Sequence, residues 1–189
     1  MYNKKVNNKF HNFTKEVKLK EYEKTVSRTD IKGNILYFNN TFSKISGYNR
    51  KELIRVPHSI LRHQDMPKTI FYLIWKSLLA GYKTKALIKN LTKDGNYYWQ
   101  ITDISVQKNN QNSTISFLSE GKQATKNIIK EIEPIYKELL EIEKYNTDEA
   151  IKFFLEFLND NNIATYNDYI IKVEKDKKIS SILNIWLGF

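Results

Sequence analysis

Residues 57–75, Pro57-His58-Ser59-Ile60-Leu61-Arg62-His63-Gln64-Asp65-Met66-Pro67-Lys68-Thr69-Ile70-Phe71-Tyr72-Leu73-Ile74-Trp75, are the stretch that decides the fold. A polar knot, Arg62-His63-x-Asp65, stands against Pro67. Proline suits a first helical position because it has no amide to leave unbonded there. Ile70, Phe71, Ile74, Trp75, Leu78 and Leu79 then recur at helical spacing. That pattern predicts the longest helix of the unit, begun at Asp65 or Met66 and ended by Gly81. A polar cluster beside such a helix and a half-buried sheet is the wall of a small-molecule pocket more often than an ordinary core.

Working outward, three β segments follow the helix, at 83–91, 96–106 and 113–118. Lys93-Asp94-Gly95 joins the first two, and the polar loop 108–112 joins the last two. In the middle segment Tyr98, Gln100, Thr102 and Ile104 face one way, and Trp99, Ile101 and Asp103 the other. Upstream, Gly33-Asn34 marks a hairpin between 25–30 and Ile35-Leu36-Tyr37-Phe38. The latter run is apolar throughout and reads as a strand buried on both faces. Asn39-Asn40-Thr41 opens a short helix that Gly47 ends, and a further turn from Arg50 to Leu53 stops at Val56-Pro57. Two strands, short helices, one longer helix and a three-strand meander predict an α+β architecture: a five-stranded antiparallel sheet with helices on one face.

At 189 residues, 41% of them apolar, the chain can bury a core and has room for one domain plus an extension. Its net charge of +10 comes from lysines spread among acidic residues, with arginine confined to Arg28, Arg50, Arg55 and Arg62. That is a solvated lysine surface, so no nucleic-acid partner is expected. The absence of cysteine excludes disulfides, thiolate metal sites and photochemistry through a cysteine–flavin bond. No metal site is expected, since His and carboxylates do not share ligand spacing. The N-terminus has no apolar run resembling a signal peptide and no window spans a bilayer, so a cytoplasmic location is expected.

Residues 1–24 read as a loose cap or short helix outside the main fold, and 25–121 as the domain. After Gly121 a helical segment runs to 189. Ile128, Ile132, Ile135, Leu139 and Ile142 form a coiled-coil-like seam, with Pro134 expected to kink or split its helix. Further helices are predicted from Asn146 or Thr147 and from Thr165 to Val173, before an apolar tail from Ile179 to Phe189. The seam has two readings: contact with another copy or a receptor, or cover for an open face of the sheet.

The order of elements and several motifs resemble a PAS sensor domain, and more narrowly the PAS domain of aerotaxis and energy-taxis receptors. The motifs are Asn39-Asn40-Thr41-Phe42, Ser46-Gly47-Tyr48, Pro57-His58, the run from Leu61 to Lys68, Trp75, Lys89-Asn90, Lys93-Asp94-Gly95 with Tyr98-Trp99, and Glu133-Pro134-Ile135-Tyr136-Lys137. The resemblance implies noncovalently held FAD, with Arg62, His63, Asp65, Trp75 and Asn90 as flavin-binding positions and Asn39 as an addition. It also implies a stand-alone transducer that contacts a chemoreceptor-like partner; the helical seam adds, as a further expectation, a homodimer through the PAS unit or the helices. The chain departs from the family at Gln64, where Pro is usual, and at Lys83-Thr84-Lys85-Ala86, where an aromatic wall is usual.

In chemical terms, an isoalloxazine presents an apolar ring and an edge of carbonyls and N–H. Asn90 could pair with that edge through both halves of its amide, Arg62 could meet negative charge, and Trp75 could wall the ring. The plainer readings are a local Arg62–Asp65 ion pair, a strand-end hydrogen bonder and a core tryptophan. Two alternatives stand beside FAD: haem ligated by His58 or His63, and a cofactor-free interaction module whose pocket is filled by its own side chains. The chain offers no Gly-rich phosphate loop and no paired carboxylates, so it does not read as an enzyme.

Overall fold

The computed structural model describes residues 15–175. Strands β1 (Thr25–Thr29) and β2 (Ile35–Phe38) form the N-terminal hairpin, followed by helices α1 (Asn40–Ser46) and α2 (Arg50–Leu53). A 3-10 turn (His58–Leu61) leads to α3 (Lys68–Leu79). The meander is β3 (Thr84–Leu91), β4 (Tyr97–Lys108) and β5 (Thr114–Gln123), and α4 (Lys126–Glu143), α5 (Thr147–Asp160) and α6 (Tyr166–Lys175) complete the chain described. The sheet is antiparallel with spatial order β2-β1-β5-β4-β3, so the first strand docks beside the last.

Local chemistry accounts for most boundaries. The Asn39 side chain accepts from Phe42 N to cap α1, and Gly47 closes it. Asn49 and Glu52 build a reciprocal capping box on α2. Pro67 stands just before α3, in the capping position, with no side-chain hydrogen bond of its own.

Four expectations are corrected. β2 is buried on one side only: Ile35 and Phe38 are enclosed, while Leu36 and Tyr37 are exposed. It is an edge strand, and a register shift at Arg28/Thr29 turns both Ile35 and Phe38 inward despite their odd spacing. β5 runs five residues past Leu118, because Ser119 to Gln123 pair with β4, and Ser119 to Gly121 also with β1. Pairing on both sides overrides the weak strand propensity of that polar stretch. Pro134 does not split α4, which runs unbroken from Lys126 to Glu143 with the proline inside it. Residues 15–24 form no helix but an irregular segment with a turn at 21–22, bonded to the sheet, Val17 N donating to Tyr97 O at 2.8 Å and Leu19 N to the Gln123 side chain at 2.9 Å.

The seam of α4 lies against its own sheet. Ile128, Ile132, Ile135 and Leu139 are at most 3% exposed and share one core with Leu87, Trp99 and Ile101 and with α5 and α6. Helices thus cover both faces: α1–α3 pack on the face of Gln100 and Thr102, α4–α6 on that of Trp99 and Ile101. The apolar tail lies outside the described residues. Among the described residues no helix is long and apolar enough to cross a membrane.

Candidate functional site

Between the inner sheet face and α1–α3 lies a cavity of about 400 Å³, within the range of about 300–1,000 Å³ usual for small-molecule pockets. Its walls divide by chemistry. Phe71, Ile74, Trp75 and Leu78 from α3, with Phe42, Ile88 and Phe117, form an apolar side. Thr25, Ser27, Asn90, Gln100, Thr102 and Ser119 form a polar floor, and Lys32 and Arg62 are its lysine and arginine. The lining holds no carboxylate.

The floor is held by a relay of side chains. Asn90 Nδ2 donates to Gln100 Oε1 at 3.4 Å, and Gln100 Nε2 donates to Thr25 Oγ1 at 2.8 Å. Gln100 reaches from β4 across β5 to β1 because Gly121 lies beneath it; a Cβ there would come within 2.6 Å of Thr25 Oγ1 and 2.9 Å of Gln100 Cδ. At the other end, Trp75 closes on the β1–β2 turn, where Gly33 has φ +86° and a Cβ would lie 3.2 Å from the indole. The indole also meets Phe117 edge-on, with centroids 5.5 Å apart.

Arg62, Trp75 and Asn90 are all in this lining. Arg62 pairs across an isolated bridge with Asn90, which puts both on the cavity side of the β3 edge. Its Nη2 donates to Met66 O at 2.7 Å and its guanidinium lies 4.5 Å from the Phe71 ring centroid. Burial draws its pKa down, with the Glu143 carboxylate acting the other way.

His63, Asp65 and Asn39 are not in the lining. Successive residues of an extended segment point to opposite faces, so His63 turns away from Arg62 and joins Lys89. His63 N donates to Lys89 O at 3.4 Å, and the ring meets Tyr97 edge-on. Its Nδ1 accepts from Asp65 N at 3.1 Å and lies 3.5 Å from the Asp65 carboxylate. Burial, then the neighbouring Lys89 charge, lowers its pKa. Asp65 accepts from Lys89 Nζ at 2.6 Å. Asn39 is committed to the fold, accepting from Phe42 N and Val26 N and donating to Lys24 O. The expected Arg62–Asp65 ion pair is replaced: Asp65 pairs with Lys89, and Arg62 donates to Met66 O.

Several lining residues carried no site expectation, Gln100, Thr102 and Ser27 among them. The alternation of β4, which places Gln100 and Thr102 on one face, was the signal that could have found the first two. His58 also lines the cavity, its Nε2 3.2 Å from Ser27 Oγ, and desolvation lowers its pKa to about 4. Among the described residues no cluster of His, Asp and Glu could hold a metal ion.

Comparison with known proteins agrees with this geometry. Residues 35–119 match the family model described as a PAS fold. The aerotaxis receptor of Escherichia coli (strain K12) is 35% identical over 114 residues, covering 60% of this chain and 22% of the receptor. A nitrogen fixation regulatory protein of Klebsiella oxytoca is 28% identical over 94 residues, half of this chain and 19% of that protein. The chain thus spans about a fifth of the length of these relatives. Among solved structures, a light-oxygen-voltage domain studied with a flavin analogue superposes with a TM-score of 0.54 at 18% identity, over 58% of this chain and 84% of that one. The light-state Aureochrome1 domain gives 0.52 at 15%, over 64% and 90%. Sheet order, helix placement and the match over residues 35–119 together give this part of the chain a PAS fold, followed by helices packed on its outer sheet face.

Proposed function

We propose that this is a cytoplasmic, non-catalytic PAS sensor for redox or energy taxis, which holds FAD in the cavity and signals through contact of its C-terminal helices with a chemoreceptor-like partner. The observation that carries this reading is the division of the cavity wall into an apolar side and an amide-rich floor with a guanidinium beside it. That donor set fits a planar ring system with one hydrogen-bonding edge. Asn90 and Gln100 would meet the edge, Trp75 and Phe71 the ring, and Arg62 and Lys32 negative charge. A flavin held there would supply a group whose charge depends on redox state. The relationship to an aerotaxis receptor supports the sensory role. Pairing of two copies, where it occurs, would use surfaces other than the seam, which α4 spends on its own sheet.

The cavity argues against catalysis on physical grounds. Ser27 and His58 form a hydrogen-bonded pair, but an imidazole at about 4 is a weak base near neutral pH. No carboxylate in the lining would orient it.

The test is the absorption spectrum of the purified full chain. Oxidised-flavin bands, retained on gel filtration, are expected. A Soret band would replace FAD by haem. A colourless protein that FAD cannot reconstitute would leave a cofactor-free PAS interaction module.

A further inference from the structure

Helix α3 carries much of the apolar wall of the cavity, yet it begins without a side-chain cap of its own. The first amides of a helix have no partner within it. Here two of them go to Glu143, the last residue of α4. Lys68 N donates to Glu143 Oε2 at 2.9 Å, and Thr69 N and Oγ1 donate to Oε1 at 2.7 and 2.8 Å. Both carboxylate oxygens are used, and a negative charge at a helix N-terminus is further favoured by the helix dipole. A residue of the C-terminal helices thus completes a helix of the cavity.

The same turn is tied to the cavity from its other side. Arg62 lines the cavity and donates to Met66 O at 2.7 Å, two residues before Lys68. Met66 is fully buried, its Sδ accepting from Lys89 N at 3.2 Å, so the turn has little room to absorb a displacement. The Arg62 guanidinium also stacks on Phe71, in the first turn of α3. From Arg62 to Glu143 the path is one short, fully bonded segment, and Glu143 leads directly into the turn between α4 and α5.

We propose that Glu143 is a regulatory latch: by capping α3 from the end of α4, it transmits a change at Arg62 to the α4–α5 turn. The latch deepens the sensory reading and takes its biological use from it, but the coupling itself needs no flavin. Glu143 also acts electrostatically on Arg62.

The experiment is amide hydrogen exchange on the flavin-free full chain, comparing the parent, Arg62→Met, Glu143→Ala and the double variant. Arg62→Met is expected to speed exchange at Lys68 and Thr69 by up to about tenfold, the ceiling set by complete loss of the Glu143 cap, and to speed it also at 143–149. In the Glu143→Ala background, Arg62→Met should no longer change 143–149. The proposal is overturned if Arg62→Met leaves 143–149 untouched while Glu143 is present, or changes them equally in both backgrounds. Should Arg62→Met not fold, Arg62→Lys, which keeps the charge and loses the planar fork, is read by the same two criteria. Failure of the sensory reading would show separately, as a colourless protein that FAD does not reconstitute.

Discussion

Lys89 and Asp65 are joined at 2.6 Å across the β3 edge, and the two ends of the bond are unequally buried. The lysine side chain is 8% exposed and the carboxylate 45%. The ammonium also lies 4.4 Å from the Tyr97 ring centroid and 5.4 Å from that of Trp99. Removing the carboxylate strands a buried cation, whereas removing the lysine leaves a carboxylate that water can reach. Asp65→Asn should therefore cost about 2–3 kcal/mol and Lys89→Met about 1 kcal/mol. Urea denaturation of both variants checks the order, and a larger loss for Lys89→Met would refute this account.

Gly121 is required by the chain that crosses above it. Gly121→Ala puts a methyl group within 2.6 Å of Thr25 Oγ1 and 2.9 Å of Gln100 Cδ, an overpacking expected to cost about 1–3 kcal/mol. Thr25→Ala in the same chain should recover part of that loss, since it removes the nearer atom. Thermal unfolding of the single and double variants measures both effects.

Helices α4 and α6 cover the outer edge of β3 with a closed ring of hydrogen bonds. Leu87 N donates to Tyr166 Oη at 3.2 Å, Tyr166 donates to Tyr136 at 2.6 Å, and Tyr136 donates to Leu87 O at 2.9 Å. Burial pushes both phenol pKa values up, so the hydroxyls stay neutral donors. Tyr136→Phe and Tyr166→Phe should each cost about 1–3 kcal/mol by leaving a buried group unbonded. The double variant should cost less than their sum. Additive losses in denaturant titrations would show that the ring does not act as a unit.

Acid should weaken the fold through His58. Its folded pKa of about 4 lies below the ordinary 6.5, so the unfolded chain takes up the proton first as pH falls. The stability present above about 6.5 is then lost toward 4, by up to about 3 kcal/mol. His63, also lowered by burial, adds in the same sense. A His58→Gln variant should flatten the dependence of urea midpoint on pH between these values. An unchanged slope would assign the acid sensitivity elsewhere.

Given the proposed flavin, the cavity predicts a division within the Arg62-His63-x-Asp65 run. Arg62→Ala and Asn90→Ala should each weaken FAD binding about tenfold, as loss of one hydrogen-bonding group does. His63→Ala and Asp65→Asn should leave the affinity nearly unchanged, since neither side chain lines the cavity. Fluorescence titration of refolded protein with FAD separates the two groups. Equal losses from all four would remove this division of the site.

Much of this fold was legible in the chain. Gly33-Asn34, the helix start at Asn39-Asn40-Thr41, the spacing from Ile70 to Leu78 and the alternation from Tyr98 to Ile104 each act over a few residues, where backbone periodicity and capping chemistry are set locally. The site was half legible for the same reason. Trp75 and Asn90 sit on regular elements whose inward faces can be counted. Arg62 and His63 sit on an irregular segment, and only its bridge to Asn90 decides which of them enters the cavity.

What the sequence alone determined, then, is the order of elements, their ends and which side of each is apolar. Tertiary structure decided which distant group each side meets. It carried β5 on through Gln123 between two neighbours, laid the α4 seam on its own sheet, and brought Glu143 to Thr69 across 74 positions. Such pairings are fixed by the packing of the whole sheet and its two helical layers, and no local pattern of residues encodes them.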